Sequence, residues 1–251
     1  MRRVCLVALA LAGACSQASP HEPASAPAPV ASPPVASQTV ADAQPPAVVV
    51  DAAPPLAIVD APIRWNAERE RLTLAYRRRH VDPVAADVVI TPRAIVLHHT
   101  GGGSAKATRT YFDNIRIEAE RAQLAAAGAV NVSSHYLVDR DGTIYRLQPD
   151  TRFARHCIGL NHLAIGIENV GDGKRWPLTD AQVAANAALV RELAGRHEIT
   201  HLLGHHEVMG FRSHAYFVER EPGYRNEKPD PGDAFMAQVR AKVADLELAG
   251  P

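Results

Sequence analysis

Apolar positions fall into two regimes along this chain. Up to about residue 61 they show no period, and beyond it short apolar runs alternate with turn clusters and helical stretches. "ADVVITPRAIVLHHT" (86–100) and "SSHYLVDRDGTIYRLQ" (133–148) read as strands. In the second, Asp141-Gly142 is a two-residue hairpin signal between runs 134–138 and 143–147. "HLAIGIENVG" (162–171) and "THLLGHH" (200–206) are short runs of the buried-strand kind. Between these two lies a helix: Thr179 and Gln182 form a capping box, and Val183, Ala187, Val190 and Ala194 follow at helical spacing. Further helices are expected over 105–127 and 233–248. Strands mixed with helices, one pair of strands being a hairpin, predict an α/β domain: a single central mixed sheet flanked by helices, over residues 62–251.

The part before residue 62 has another character. "MRRVCLVALALAGAC" opens with two arginines and continues with an apolar run too short to span a bilayer, the pattern of a secretory signal over residues 1–15. Its end admits two readings. Ala12-x-Ala14 fits ordinary signal-peptidase cleavage, while Leu11 to Cys15 resembles a lipobox, with alanine where leucine is usual three places before the cysteine. The lipoprotein reading is favoured, because residues 16–61 are rich in Ala, Pro, Ser and Val, without an aromatic residue or apolar period. Such a tract cannot bury enough surface to offset its ordering entropy, and it is expected to be a disordered tether. Cys15 would then carry the only membrane attachment, and Ser16 after it suits sorting to the outer membrane, facing the periplasm.

The chain of 251 residues carries 27 basic and 27 acidic side chains, so nothing in its net charge argues for nucleic acid or an anionic membrane face. With Cys5 in the signal and Cys15 lipidated, Cys157 stands alone and no intramolecular disulfide can form. Histidine, at 12 copies, is the one ionisable type in excess.

Two adjacent pairs, His98-His99 and His205-His206, each end an apolar run. Neighbouring strand side chains point to opposite faces, so one member of each pair can face a shared site. A lone strand-end histidine is usually bonded to backbone, but two pairs in this setting point to a site, because strand ends carry binding residues. Asp230, in "KPDPG" ahead of a helix, is both a turn residue and a candidate carboxylate ligand. Lys228, two positions earlier, would project to the same side. Two imidazoles and a carboxylate leave a fourth tetrahedral position for water, as in catalytic zinc sites, and no HExxH motif is present. Glu168 sits in the apolar run "AIGIENVG". It is there either as the partner of a buried arginine or as a general base whose proton affinity burial has raised.

"IVLHHT", "SSHYLVDRDGTIYRL", "RHCIGLNHLAIGIENVG", "LLGHHE" and "KPDPG", in this order over roughly 90–235, resemble the type-2 N-acetylmuramoyl-L-alanine amidases, which group with peptidoglycan recognition proteins and phage lysozyme-type amidases. The domain is expected to be a monomer, and the resemblance implies a mixed sheet with helices packed around it and one zinc ion held by His98, His205 and Asp230. It also implies Glu168 and Lys228 as catalytic residues, with His156 and Asn161 contacting peptidoglycan or muropeptide substrate. His99 and His206 are left as supporting residues. There are departures. Ser134 stands where phage-type members carry a catalytic tyrosine, so the branch using glutamate is the better guide. Arg155-His156-Cys157-Ile158 replaces a frequent "WHAG", keeping the histidine and losing the tryptophan. Residues 207–227 form a long excursion between the second and third ligands, either a lid or a groove wall. The implied reaction is hydrolysis of the amide between N-acetylmuramic acid and L-alanine. The rivals are a lipoprotein that binds peptidoglycan without cutting it, and a metal amidase for another acyl-peptide.

Overall fold

The computed structural model describes residues 56–251. The expected signal segment, the acylated Cys15 and most of the expected tether lie outside the described residues. Six strands form one sheet, in the order β1 (Ile58–Asp60), β4 (Ile144–Arg146), β3 (Tyr136–Val138), β5 (Ala164–Asn169), β2 (Ala94–His99) and β6 (His201–Gly204). Strands β3, β5, β2 and β6 run parallel; β4 is antiparallel to β3, and β1 is parallel to β4. The mixed α/β sheet expected from the apolar runs is therefore present, with its single antiparallel junction at the hairpin. The turn itself is longer than a two-residue loop. Asp139 N–H donates to the Thr143 carbonyl at 2.9 Å, and residues 140–142 make the turn with Gly142 at φ 89°. Only glycine adopts that dihedral without strain.

Sheet parity sorts the core. Ile95 and Leu97 of β2, Ile165 and Ile167 of β5, and Leu202 of β6 face α4 (Asp180–Arg196) and α5 (Asp233–Lys242). The alternate positions Ala94, Val96, Ala164 and Leu203 face the opposite side, against the 157–163 loop and Phe211. Helix α4 starts where its capping box places it, with Gln182 N–H on Thr179 Oγ1 and Thr179 N–H on Gln182 Oε1.

Four elements depart from the expected pattern. Helix α1 (Ala67–His80) was not legible as an apolar stripe, because its buried face is Arg69, Leu72, Thr73, Tyr76 and His80. Polar side chains occupy helical spacing there and are satisfied by hydrogen bonds. Arg69, for example, donates to the carbonyls of Phe112 and Asn114 at 2.8 and 2.6 Å. Those same bonds help end α2 (Ala105–Asp113), so the single helix expected over 105–127 is two, the second being α3 (Ala122–Ala127). Between them Ile117 N–H donates to Ala129 O, and Asn131 N–H to Ile115 O. The helix expected over 233–248 stops at Lys242, whose carbonyl accepts from Arg191 at 2.5 Å, and a short 3-10 turn follows. Finally, Ile58–Asp60, counted with the tether on composition, pairs with β4 as the edge strand. No described helix is long and apolar enough to cross a membrane.

Candidate active site

Register across three parallel strands builds the site. His98 lies opposite Glu168 on β5, and Leu97 lies opposite Gly204 on β6, so the next residue, His205, continues the same row. Residues paired in register share a face, which puts Glu168, His98 and His205 side by side at the carboxyl ends of their strands. They stand on the face whose lower rows are Ala94, Val96, Ala164, Gly166 and Leu203, packed against the 157–163 loop and the His156 ring. His99 points the other way and accepts from Gly101 N–H at 3.3 Å. The second pair obeys a different rule: His205 and His206 lie in a 3-10 turn beyond β6, not in the strand. His205 turns inward. His206 takes the Asp230 carbonyl on its backbone N–H at 2.8 Å, and its ring meets Asp233 at 2.8 Å, tying down the loop that carries Asp230.

Three ligand atoms converge. His98 Nδ1 is 2.9 Å from His205 Nδ1 and 3.4 Å from Asp230 Oδ2, and His205 Nδ1 is 3.1 Å from Asp230 Oδ2. All three residues are buried. Tetrahedral zinc, with bonds of about 2.0–2.2 Å to such donors, has donor–donor edges of roughly 3.3 Å, so the triangle has the right size. Its chemistry fits too. Two imidazole nitrogens facing each other beside a carboxylate form a cluster of lone pairs that a divalent cation satisfies better than a proton does. Burial, with the repulsion of His205, pushes His98 down to about 4, so the ring is neutral at physiological pH. Burial would raise Asp230, but its close contacts with the His205 and His98 rings outweigh it and hold the carboxyl below the ordinary range.

Glu168 has no arginine. Its Oε2 is buried and makes no hydrogen bond, which removes the ion-pair explanation for a glutamate in an apolar strand. Burial, then the nearby Asp230 charge, raises it to about 8 against the counter-pull of Lys228. Such a carboxyl next to a candidate metal centre is the arrangement of a general base. Lys228 and Glu168 line the same cavity of about 380 Å3 as the three candidate ligands.

The other expected contacts are placed lower. His156 touches the cavity, but Nδ1 meets His98 Nε2 at 3.0 Å and Nε2 meets the Ala164 carbonyl at 3.1 Å. Asn161 is buried, and its Oδ1 accepts the backbone N–H groups of His156 and Cys157 at 2.8 and 2.7 Å. Arg155, in the tryptophan position of "WHAG", is also buried. Its guanidinium donates to the carbonyls of Leu124, Gly128 and Val130 and to Tyr224 Oη, and it stacks 4.5 Å from the centre of the Tyr76 ring. Ser134, in the tyrosine position, is buried with its hydroxyl unpartnered.

The 207–227 excursion is a packed wall. Glu221 pairs with Arg79, Glu219 with His80, and Val218 N–H donates to the Gly159 carbonyl at 2.9 Å. It delivers Tyr224 and Asn226 to the cavity, followed by Lys228. Tyr224 and Tyr76 are wall residues that the sequence reading missed. Their only signal is aromatic character in polar surroundings.

Residues 89–233 match the N-acetylmuramoyl-L-alanine amidase family, more than half of the chain, and the protein belongs to that family. Among curated relatives, peptidoglycan-recognition protein SC2 of Drosophila melanogaster is 29% identical over 119 residues, covering 45% of this chain and 62% of the relative. The endolysin of Escherichia phage T7 is 31% identical over 86 residues, 32% of this chain and 57% of the endolysin. The chain thus spans about three fifths of the length of these relatives. Among solved structures, N-acetylmuramoyl-L-alanine amidase LysC from Clostridium intestinale superposes with a TM-score of 0.49 at 21% identity, over 75% of this chain and 97% of that one.

Proposed function

We propose that the protein is a zinc-dependent N-acetylmuramoyl-L-alanine amidase that hydrolyses the amide joining the lactyl group of muramic acid to L-alanine in peptidoglycan or its fragments. The observation that carries this reading is the triangle of His98, His205 and Asp230 beside an unpartnered Glu168 in one cavity. Zinc at the triangle supplies Lewis acidity for the scissile carbonyl and lowers the pKa of water there to about 7.

Glu168 accepts a proton from the attacking water and returns it to the leaving alanine nitrogen, so that the amine departs neutral. Burial raises its proton affinity and a cation bound beside it would lower it again, so that it can take the proton and give it back. Lys228, on the same cavity wall, donates to the oxyanion that develops on the carbonyl oxygen. The 207–227 wall and the Tyr76 and Tyr224 rings shape the cavity that receives the peptide and its sugar. We further propose that the protein is exported and held at the outer membrane, facing the periplasm, through acylated Cys15. This reading rests on the sequence of residues 1–16 alone.

The test is incubation of the purified protein with isolated cell-wall sacculi, with and without chelator, and mass spectrometry of what is released. Intact stem peptides with a free L-alanine amine, lost on chelation and restored by zinc, are expected. Tight co-sedimentation without release would instead identify a binding protein, and cleavage that survives chelation would remove the metal from the mechanism.

A further inference from the structure

We infer that His156 is a positioning residue that selects the tautomer of His98, through a relay of hydrogen bonds running from a β5 carbonyl to the metal-facing nitrogen. The inference rests on the reading of His98 as a ligand. At one end, the Ala164 carbonyl lies 3.1 Å from His156 Nε2. A carbonyl oxygen only accepts, so the hydrogen of His156 belongs on Nε2. The two ring partners of His156, a carbonyl and an imidazole, carry no negative charge, and so nothing in the relay favours a second proton. Its Nδ1 is therefore an acceptor, and His98, at 3.0 Å, must donate from Nε2. That leaves a bare lone pair on His98 Nδ1, the atom that faces His205 and Asp230. The reverse assignment sets the lone pair of His156 Nε2 against that of a carbonyl oxygen inside the protein.

The local architecture is shaped around this ring. Gly166 is the β5 residue in register with Val96, one row below the His98–Glu168 row. A β-carbon there would lie 2.7 Å from His156 Cγ and 2.8 Å from its Nδ1, so any side chain at 166 displaces the ring. The His98 and His156 planes meet at 86° with centroids 5.1 Å apart, which aims the Nε2 of one ring at the Nδ1 of the other. Asn161 fixes the backbone of the ring's own residue by accepting its N–H. Two residues that the family resemblance assigns to substrate thus form a support beneath the ligand. Outer partners of this kind typically change metal affinity about 10–100-fold when removed.

The full chain is titrated with zinc against a chromogenic chelator, and the metal-free protein is examined by 15N NMR of its imidazoles. His156→Phe keeps a flat ring but removes the acceptor, and it is expected to weaken zinc binding about 10–100-fold. His156→Gln, which keeps an acceptor, is expected to recover most of that loss, and Gly166→Ala to reproduce it by pushing the ring aside. In metal-free wild-type protein the His98 proton is expected on Nε2. A His156→Phe protein that holds zinc as tightly as wild type overturns the inference, as does a His98 proton on Nδ1 in the wild-type spectrum, a reading that needs no variant to fold. Wild-type protein that takes up no zinc in the same titration would overturn the metal-site reading itself.

Discussion

At the scale of single residues, the question is what a side chain does with polar atoms it cannot hide. Glu168 leaves an oxygen buried and unpaired. Ionising it costs more in the folded than in the unfolded chain, so in metal-free protein its contribution to stability is greatest below about pH 4.5 and falls as pH rises toward about 8. Glu168→Gln removes that slope. Relative to wild type, the metal-free variant should gain stability progressively from about pH 4.5 to about pH 8, and none below pH 4.5, in denaturant unfolding. With zinc present the same variant should lose at least about a hundred-fold in turnover while its zinc stoichiometry is unchanged. Joint loss of metal and activity would make the residue structural. Glu168, His98, His205, Asp230 and Lys228 were each legible from residue type and setting, and the cavity contains all five. His156 and Asn161 line it too, but their bonds to His98 and to backbone were not legible, because a histidine and an asparagine read alike in a sequence whatever they meet.

At the scale of elements, strands β2 to β6 and the capped helix α4 follow from local pattern, and Thr179→Ala should lower stability by about 1 kcal/mol in thermal or chemical unfolding. Helix α1 was hidden because long polar side chains fill its inner face, yet Asn66 as N-cap, acidic residues in the first turn and arginines in the last were there to be read. The break between α2 and α3 was not readable, since the donor that ends α2 is Arg69, more than forty residues away. Arg155 has a comparable role: it gathers the 124–130 segment and Tyr224 of the excursion around one guanidinium. Lysine cannot reproduce that fork. Arg155→Lys is expected to cost about 2 kcal/mol or more of stability and to raise KM more than it lowers kcat, because the wall moves while the reacting groups stay. Equal losses in both constants would place Arg155 closer to the chemistry.

At the scale of the whole molecule, the folded unit begins before the boundary that composition draws. Leu56 and Ile58 pack against the main core, and Asp60 pairs with Arg146. Relative to a chain starting at Leu56, one starting at Pro62 should lose about 2 kcal/mol from the edge strand. Equal melting of the two would show that β1 adds nothing to the stability of the fold. By itself the sequence determined five of the six strands, where the capping box starts α4, and which residue types could hold a divalent ion, since these depend on neighbours a few positions apart. Only the tertiary structure decided that Glu168, His98 and His205 form one row, that Asp230 closes the triangle, and that His156 lies beneath it. Those facts depend on the register of strands far apart in the chain and on Gly166 leaving room for a ring, and register is settled by packing the two faces of the sheet together.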